Sequence, residues 1–177
     1  MQNDDDDALA AFERLYAAHG ARLKSVACNL LGNVADAEDA VQEAFLKAHR
    51  AWGGFKGESA PFTWLYRILV NSCMDTGRRR KRRREEPEPE GPADTRPAPV
   101  VDHPLRLALE TALRQLSPRL RAVFLLAEAE GFTHREIAEI LDIAEGTSKH
   151  DLFQAKRELR LLLAGPRPIP APGEVRA

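Results

Sequence analysis

The sequence predicts an all-α protein: two small helical domains joined by a flexible, acidic, proline-rich linker. Three observations carry that expectation. Apolar residues recur at helical spacing on both sides of the linker, with no two-residue alternation of the kind a strand shows. Pro87, Pro89, Pro92, Pro97, Pro99 and Pro104 crowd one stretch among Glu, Gly and Ala. Such a composition cannot bury enough apolar surface to order itself, and proline biases it toward extended polyproline geometry. Charge, too, divides the chain. Residues 1–7 carry −4, residues 8–84 carry +7 and residues 85–103 carry −5, while 104–165 balance and 166–177 carry +1, for a net of −1.

These divisions predict a disordered acidic N-terminus over 1–7, a basic helical body over 8–84, a linker over 85–103, a neutral helical body over 104–165 and a disordered proline-rich tail over 166–177. Fully extended, the linker would reach at most about 65 Å; as a flexible coil it would average about 25 Å.

In the N-terminal body, Leu9, Phe12, Leu15, Tyr16, His19, Leu23, Val26, Ala27 and Leu30 trace one stripe, and Gly32 stops it in the manner of a C-terminal cap. Asp36 then reads as the cap of a second helix, with Asp39 three residues on and Val41, Ala44, Phe45 and Ala48 as its inner face. Trp52 to Ser59 reads as a loop. Ser59 and Pro61 open a third helix lined by Phe62, Leu65, Tyr66, Leu69 and Cys73. That helix runs into seven consecutive cations, Arg78 to Arg84. Alone, such a run is compatible with a solvated tail. At the end of a helix carrying Trp64, Arg67 and Asn71 on its other face, it is also compatible with a phosphate-binding stripe.

The C-terminal body contains the most informative segment, residues 131–157. Thr133 and Glu136 form a capping box, in which each side chain satisfies an orphan N–H at a helix start. Ile137, Ala138, Ile140 and Leu141 follow at helical spacing, and Asp142 to Gly146 form a turn. A further helix places Leu152, Ala155 and Leu159 inward and Thr147, Ser148, Lys149, His150, Asp151 and Gln154 outward. This is the pattern of a helix-turn-helix, whose second helix enters the DNA major groove. An ordinary helical hairpin with a solvated polar face would share the same spacing.

Other classes are poorly supported. No apolar run approaches the ~20 residues that cross a bilayer, and the opening MQNDDDDALA is acidic where a secretory leader would be basic and then apolar. With only Cys28 and Cys73 there is no disulfide framework, so the expected compartment is the reducing cytoplasm. Both cysteines read as small buried hydrophobes rather than a redox pair. His19, His49, His103, His134 and His150 are scattered without metal-binding or catalytic spacing, so neither an enzyme nor a cofactor is expected.

Three segments, GNVADAEDAVQEAFLKAHRAW, FTWLYRILVNSCMDTGRRRKRR and LSPRLRAVFLLAEAEGFTHREIAEILDIAEGTSKHDLFQAKREL, resemble in order the extracytoplasmic-function (ECF, group 4) branch of the sigma-70 family. The resemblance implies a sigma region 2 bundle and a sigma region 4 helix-turn-helix. It also implies a transcription initiation factor that binds core RNA polymerase through its β′ and β subunits and directs it to promoter DNA. Asp36, Glu38, Asp39, Gln42 and Glu43 would dock on the β′ coiled coil; acidic residues in a helix's first turn also complement its dipole, so capping is a simpler role for some of them. Phe62, Trp64, Arg67, Asn71, Arg78, Arg79 and Arg80 would bind the −10 element, where stacking on an aromatic ring offsets the cost of unstacking a base. For Phe62 and Tyr66 a place in the core is the stronger reading. Thr133, Glu145, Gly146, Thr147, Ser148, Lys149, His150, Asp151, Gln154 and Lys156 would carry the −35 contact. An anti-sigma factor is the further partner implied, and membrane insertion is not.

The chain departs from the family pattern, G-T-V-K-S-R-L-x-R-A-R, at Asp151 and Gln154, where arginines are usual. Asp151 would read a cytosine, face away from DNA, or weaken binding. Ala144 stands where a capping serine is frequent, a loss of about 1 kcal/mol. The alternative function, a stand-alone helix-turn-helix regulator, would leave the DAEDAVQE helix and the FTWLYRILVN segment without a role.

Overall fold

A computed structural model describes residues 2–54, 60–85 and 104–164; within its helices the side chains of residues 2–9, 11–13, 15–16 and 83–85 are not described. The linker beyond Glu85, most of the loop before Ala60, the C-terminal tail, and the side chains of Leu9, Phe12, Leu15 and Tyr16 therefore lie outside the described residues. Among the described residues there are seven α-helices, one π-helical turn and no strand.

Helix α1 (Gln2–Leu31) begins well before residue 8, so residues 2–7, expected outside any element, continue the first helix. Their aspartates suit the positive end of the helix dipole. Gly32 ends α1 as anticipated, at φ +68°, with its N–H donating to the Cys28 carbonyl at 2.8 Å. Helix α2 (Val34–Trp52) starts earlier than its sequence suggested. Its cap is Asn33, whose Oδ1 accepts from the Asp36 N–H at 3.0 Å, and not Asp36. A capping residue directly after the helix-ending glycine leaves Asp36 in the first turn with its carboxylate available to other groups. Helix α3 (Pro61–Glu85) is continuous through the cationic run. The three helices pack through Leu23, Val26, Ala27 and Leu30, then Ala37, Ala40, Ala44, Phe45 and Ala48, then Leu65, Tyr66, Leu69, Val70 and Cys73. Burial pushes the Cys73 thiol up to about 12, which suits an inert core residue.

The second domain comprises α4 (Pro104–Gln115), α5 (Pro118–Phe124), a π-helical turn (Leu125–Ala129), α6 (His134–Leu141) and α7 (Glu145–Leu163). Ser117 caps α5, with Pro118 at the first helical position, where its missing N–H costs nothing. The Thr133–Glu136 capping box is complete: the Thr133 N–H donates to Glu136 at 2.8 Å and the Glu136 N–H donates back to the Thr133 hydroxyl at 3.3 Å. Asp142 turns the chain at φ +54°, in the left-handed region where Asp is better tolerated than most residues. Ala144 opens α7 without a side-chain cap.

The two domains are packed together, and their buried residues form one continuous cluster. Helix α3 lies against α6, and α1 touches α4 and α5.

Candidate nucleic-acid interface

Helix α7 presents its outward stripe through Lys149, His150, Phe153 and Arg157, all exposed. Phe153 is 64% exposed, unusual for a phenylalanine, and lies one helical turn from both Lys149 and His150. It is not among the residues expected from the sequence to contact DNA. The signal was present in a large apolar residue one position beyond Leu152, outside the 152/155/159 inner stripe.

Two residues expected to face outward point in. Ser148 is fully buried, its Oγ 3.0 Å from His134 Nδ1, which ties the start of α7 to the start of α6. Asp151 is 1% exposed. Its Oδ2 lies 2.8 Å from Arg119 Nε, and its Oδ1 accepts from Arg119 Nη2 at 3.2 Å. The Nε contact is an ion pair lying off the hydrogen-bonding axis, so Oδ2 takes no hydrogen bond of its own. Asp151 thus neither reads a base nor opposes a phosphate in this arrangement. Its carboxylate is spent on α5, because the inner face of α7 is wider than three apolar positions and takes in 148 and 151. Thr147 and Gln154 are half-buried, Gln154 donating to Glu158 at 3.0 Å. Glu145 and Gly146 are exposed, and Glu145 pairs with Lys149 at 2.7 Å. Lys156 pairs with Glu128 at 2.8 Å. Thr133 is exposed, but its hydroxyl is committed to Glu136.

On the first domain the acidic residues of α2 divide by partner. Glu38 pairs with Lys24 at 2.6 Å, Asp36 with Arg80 at 3.1 Å, and Glu43 with both Lys47 at 2.8 Å and Arg79 at 3.2 Å. Hydrogen bonding from Lys47, then from Arg79, holds the Glu43 carboxyl below the ordinary glutamate range. Asp39 and Gln42 are exposed between them. Arg79 and Arg80, expected to face phosphate, instead join α3 to α2. Arg78 makes a long contact, 3.7 Å, to Asp75, while Arg67 and Asn71 are exposed. Trp64 is half-buried with its ring 5.9 Å from that of Trp52. Phe62 packs against His19, Tyr66 and Phe132 at centroid distances of 4.4, 4.6 and 5.6 Å.

Two family descriptions match this architecture: Sigma-70 region 2 over residues 15–84 and Sigma-70, region 4 over residues 106–159. The chain is 35% identical over 154 residues to the ECF RNA polymerase sigma factor SigM of Mycobacterium tuberculosis, covering 86% of this chain and 77% of that one. It is 36% identical over 137 residues to the ECF RNA polymerase sigma-E factor of Escherichia coli, covering 70% and 72% respectively. In three dimensions it is similar to the sigma factor RpoE solved with the anti-sigma factor NepR from Bartonella quintana, with a TM-score of 0.73 and 28% identity over 89% of this chain and 99% of that one. A helical region 2, a helix-turn-helix region 4 and relatives matched across both domains together place this chain in the ECF branch of the sigma-70 family, whose members are non-enzymatic, promoter-specific transcription initiation factors.

Proposed function

We propose that this chain binds core RNA polymerase through α2, centred on Asp39 and Gln42, and reads a −35 element with the Lys149–His150–Phe153 stripe of α7. The −10 element falls to α3, with Arg67, Asn71 and Trp64 on its accessible side. The observation that carries the reading is the exposed α7 stripe. It holds a cation for phosphate, a ring nitrogen for a base edge and an aromatic surface for a thymine methyl, the groups a major-groove helix uses. The α2 face supports polymerase docking, because exposed Asp39 and Gln42 are framed by acids that their own cations already neutralise. Exposed Leu105, Leu161 and Leu163 at the ends of α4 and α7 offer an apolar surface suited to a second polymerase subunit.

The polymerase performs the chemistry; this chain supplies position and strand capture. An anti-sigma factor is a fitting regulator, since RpoE from Bartonella quintana, similar over 89% of this chain, was solved with the anti-sigma factor NepR. No helix among the described residues is long and apolar enough to cross a membrane, and a polymerase partner favours a cytoplasmic location. The test is transcription in vitro with purified core polymerase on fragmented genomic DNA, with the 5′ ends of the transcripts sequenced. Initiation at a restricted set of sites sharing −35 and −10 sequences is expected. DNA binding without any initiation would favour the stand-alone regulator.

A further inference from the structure

A cavity of about 560 Å³ opens between the end of α1, the second half of α3 and the α4–α5 corner. Its lining combines apolar side chains, Leu31 and Met74 among them, with five cations: Arg78, Arg80, Lys81, Arg114 and Arg121. Among the described residues, no aspartate or glutamate lines it. Arg80 has a counter-ion in Asp36 at 3.1 Å, and Arg78 a distant one in Asp75 at 3.7 Å. Arg121 is half-buried and has no carboxylate partner among the described residues. Its nitrogens donate instead to backbone carbonyls, those of Leu30 at 2.6 Å, Leu113 and Arg114 at 2.7 Å, and Leu116 at 3.1 Å. Those dipoles fix the guanidinium without cancelling its charge. Burial, then the neighbouring Arg114 charge, holds Arg121 below the ordinary arginine range. Arg114 itself lies against Gly32, where a Cβ would stand 3.3 Å from its Nε. Two cations side by side in a partly dry recess repel each other, and an anion between them would offset both charges.

We propose that this cavity binds a nucleoside polyphosphate. Its volume falls within the roughly 300–1,000 Å³ of small-molecule sites. Five cations against no lining acid call for several negative charges on one ligand, where a fatty acid would bring a single one. Four of the five are arginines, whose planar forks match phosphate oxygens in pairs and whose faces stack on flat rings. The phosphates lie among Arg78, Lys81 and Arg114, and the base lies on the apolar side formed by Leu31 and Met74. Arg121, held by its four carbonyls, supplies a fixed positive field beneath them. No residue of α2 or α7 lines the cavity, so nucleotide binding there depends on neither the proposed polymerase contact nor the proposed −35 contact.

The test is isothermal titration calorimetry of the full chain in magnesium-free buffer with ATP, GTP, adenosine and inorganic tripolyphosphate. Saturable one-to-one binding of ATP or GTP is expected, with adenosine and tripolyphosphate each at least about tenfold weaker. Arg114→Ala should weaken the nucleotide about tenfold or more, through loss of a charged hydrogen bond. Met74→Glu puts a carboxylate into the cavity while keeping every cation, and should abolish binding. Arg50→Ala, exposed on α2 and outside the lining, should leave it unchanged. Circular dichroism checks that each variant is folded, and if Met74→Glu is not, the comparison of Arg114→Ala with Arg50→Ala decides. No saturable binding of either nucleotide would overturn the site. Tripolyphosphate or adenosine binding as tightly as the nucleotides would overturn the ligand class. Wild-type affinity in folded Arg114→Ala and Met74→Glu would put the nucleotide on exposed cations elsewhere and overturn the cavity.

Discussion

Asp151, on the helix expected to read DNA, is turned inward onto the Arg119 guanidinium, with Oδ2 2.8 Å from Nε. The carboxylate is almost wholly buried, whereas the arginine side chain is 59% exposed. The pair therefore fixes α7 against α5, with one member still solvated. Where relatives commonly place an arginine, this chain places the partner of an arginine that α5 supplies.

Asp151→Arg should consequently destabilise region 4 rather than improve its grip on DNA. It would drive a second cation into a site 1% exposed, opposite Arg119, at a cost of about 3 kcal/mol. Asp151→Asn keeps the shape and one acceptor, and should cost about 1 kcal/mol. Urea unfolding monitored by circular dichroism distinguishes the two. Equal midpoints for wild type and Asp151→Arg would show that the pair contributes nothing.

What the sequence revealed and what it hid divide by range. Gly32 and the Thr133–Glu136 box were legible because a cap is settled within four residues. The inner faces of α2 and α3 were legible because their apolar periods are unbroken. Ser148 and Asp151 are polar yet buried, so polarity alone is a poor guide to which way they face. Each is buried against a partner far away in sequence, His134 or Arg119, which local spacing does not reveal. Asn33 was overlooked as a cap because Asp36 offered an equally good one. The meeting of Glu130 with Tyr66 joins residues in different domains, and no periodicity reports on that.

The capping box gives α6 a pH dependence. The hydrogen bond from the Thr133 hydroxyl, then that from its backbone, holds the Glu136 carboxyl below the ordinary glutamate range. A depressed carboxyl stabilises the fold above the unfolded-state value, about 4.3, and the contribution is lost as pH falls through the lower folded-state value. Thr133→Ala should therefore cost about 1 kcal/mol at pH 7 and somewhat less at pH 3, where the part that depends on the Glu136 charge is lost while the hydroxyl still accepts from the Glu136 N–H. Urea midpoints at the two pH values provide the check, and a pH-independent difference would mean that the charge on Glu136 is irrelevant to the cap.

The cations of α3 should not contribute equally to DNA binding. Arg79 and Arg80 are already paired with Glu43 and Asp36, so moving them to phosphate breaks an existing contact. Arg67 is exposed. Arg67→Ala should lower the log–log salt slope for single-stranded DNA by about 0.7, and Arg79→Ala by distinctly less. Arg79→Ala should instead weaken core polymerase binding, by loosening α3 from α2 and leaving Lys47 alone to hold the Glu43 carboxylate beside Asp39 and Gln42. Identical slope changes for the two variants would show that the α2 pairs open freely.

Phe153 provides the sharpest test of how α7 meets DNA. Its ring stands in the outward stripe between Lys149 and Arg157, and burying so exposed an aromatic side chain in a groove removes apolar surface from water. An aromatic ring donates no hydrogen bond to a base edge, so its natural target in the major groove is a thymine methyl. Phe153→Ala should weaken binding to the −35 duplex by about 1–2 kcal/mol and leave the salt slope unchanged, since no counterion is released on its account. The loss should vanish on a duplex in which the contacted thymine is replaced by uracil, which lacks only the methyl group. Lys149→Ala should act in the opposite way, weakening all sequences alike and lowering the salt slope by less than about 0.9, since Lys149 must leave Glu145 to reach a phosphate. A Phe153→Ala variant equally weakened on every sequence, uracil-substituted duplex included, would place the ring against the sugar–phosphate backbone and rotate the docked helix away from the bases.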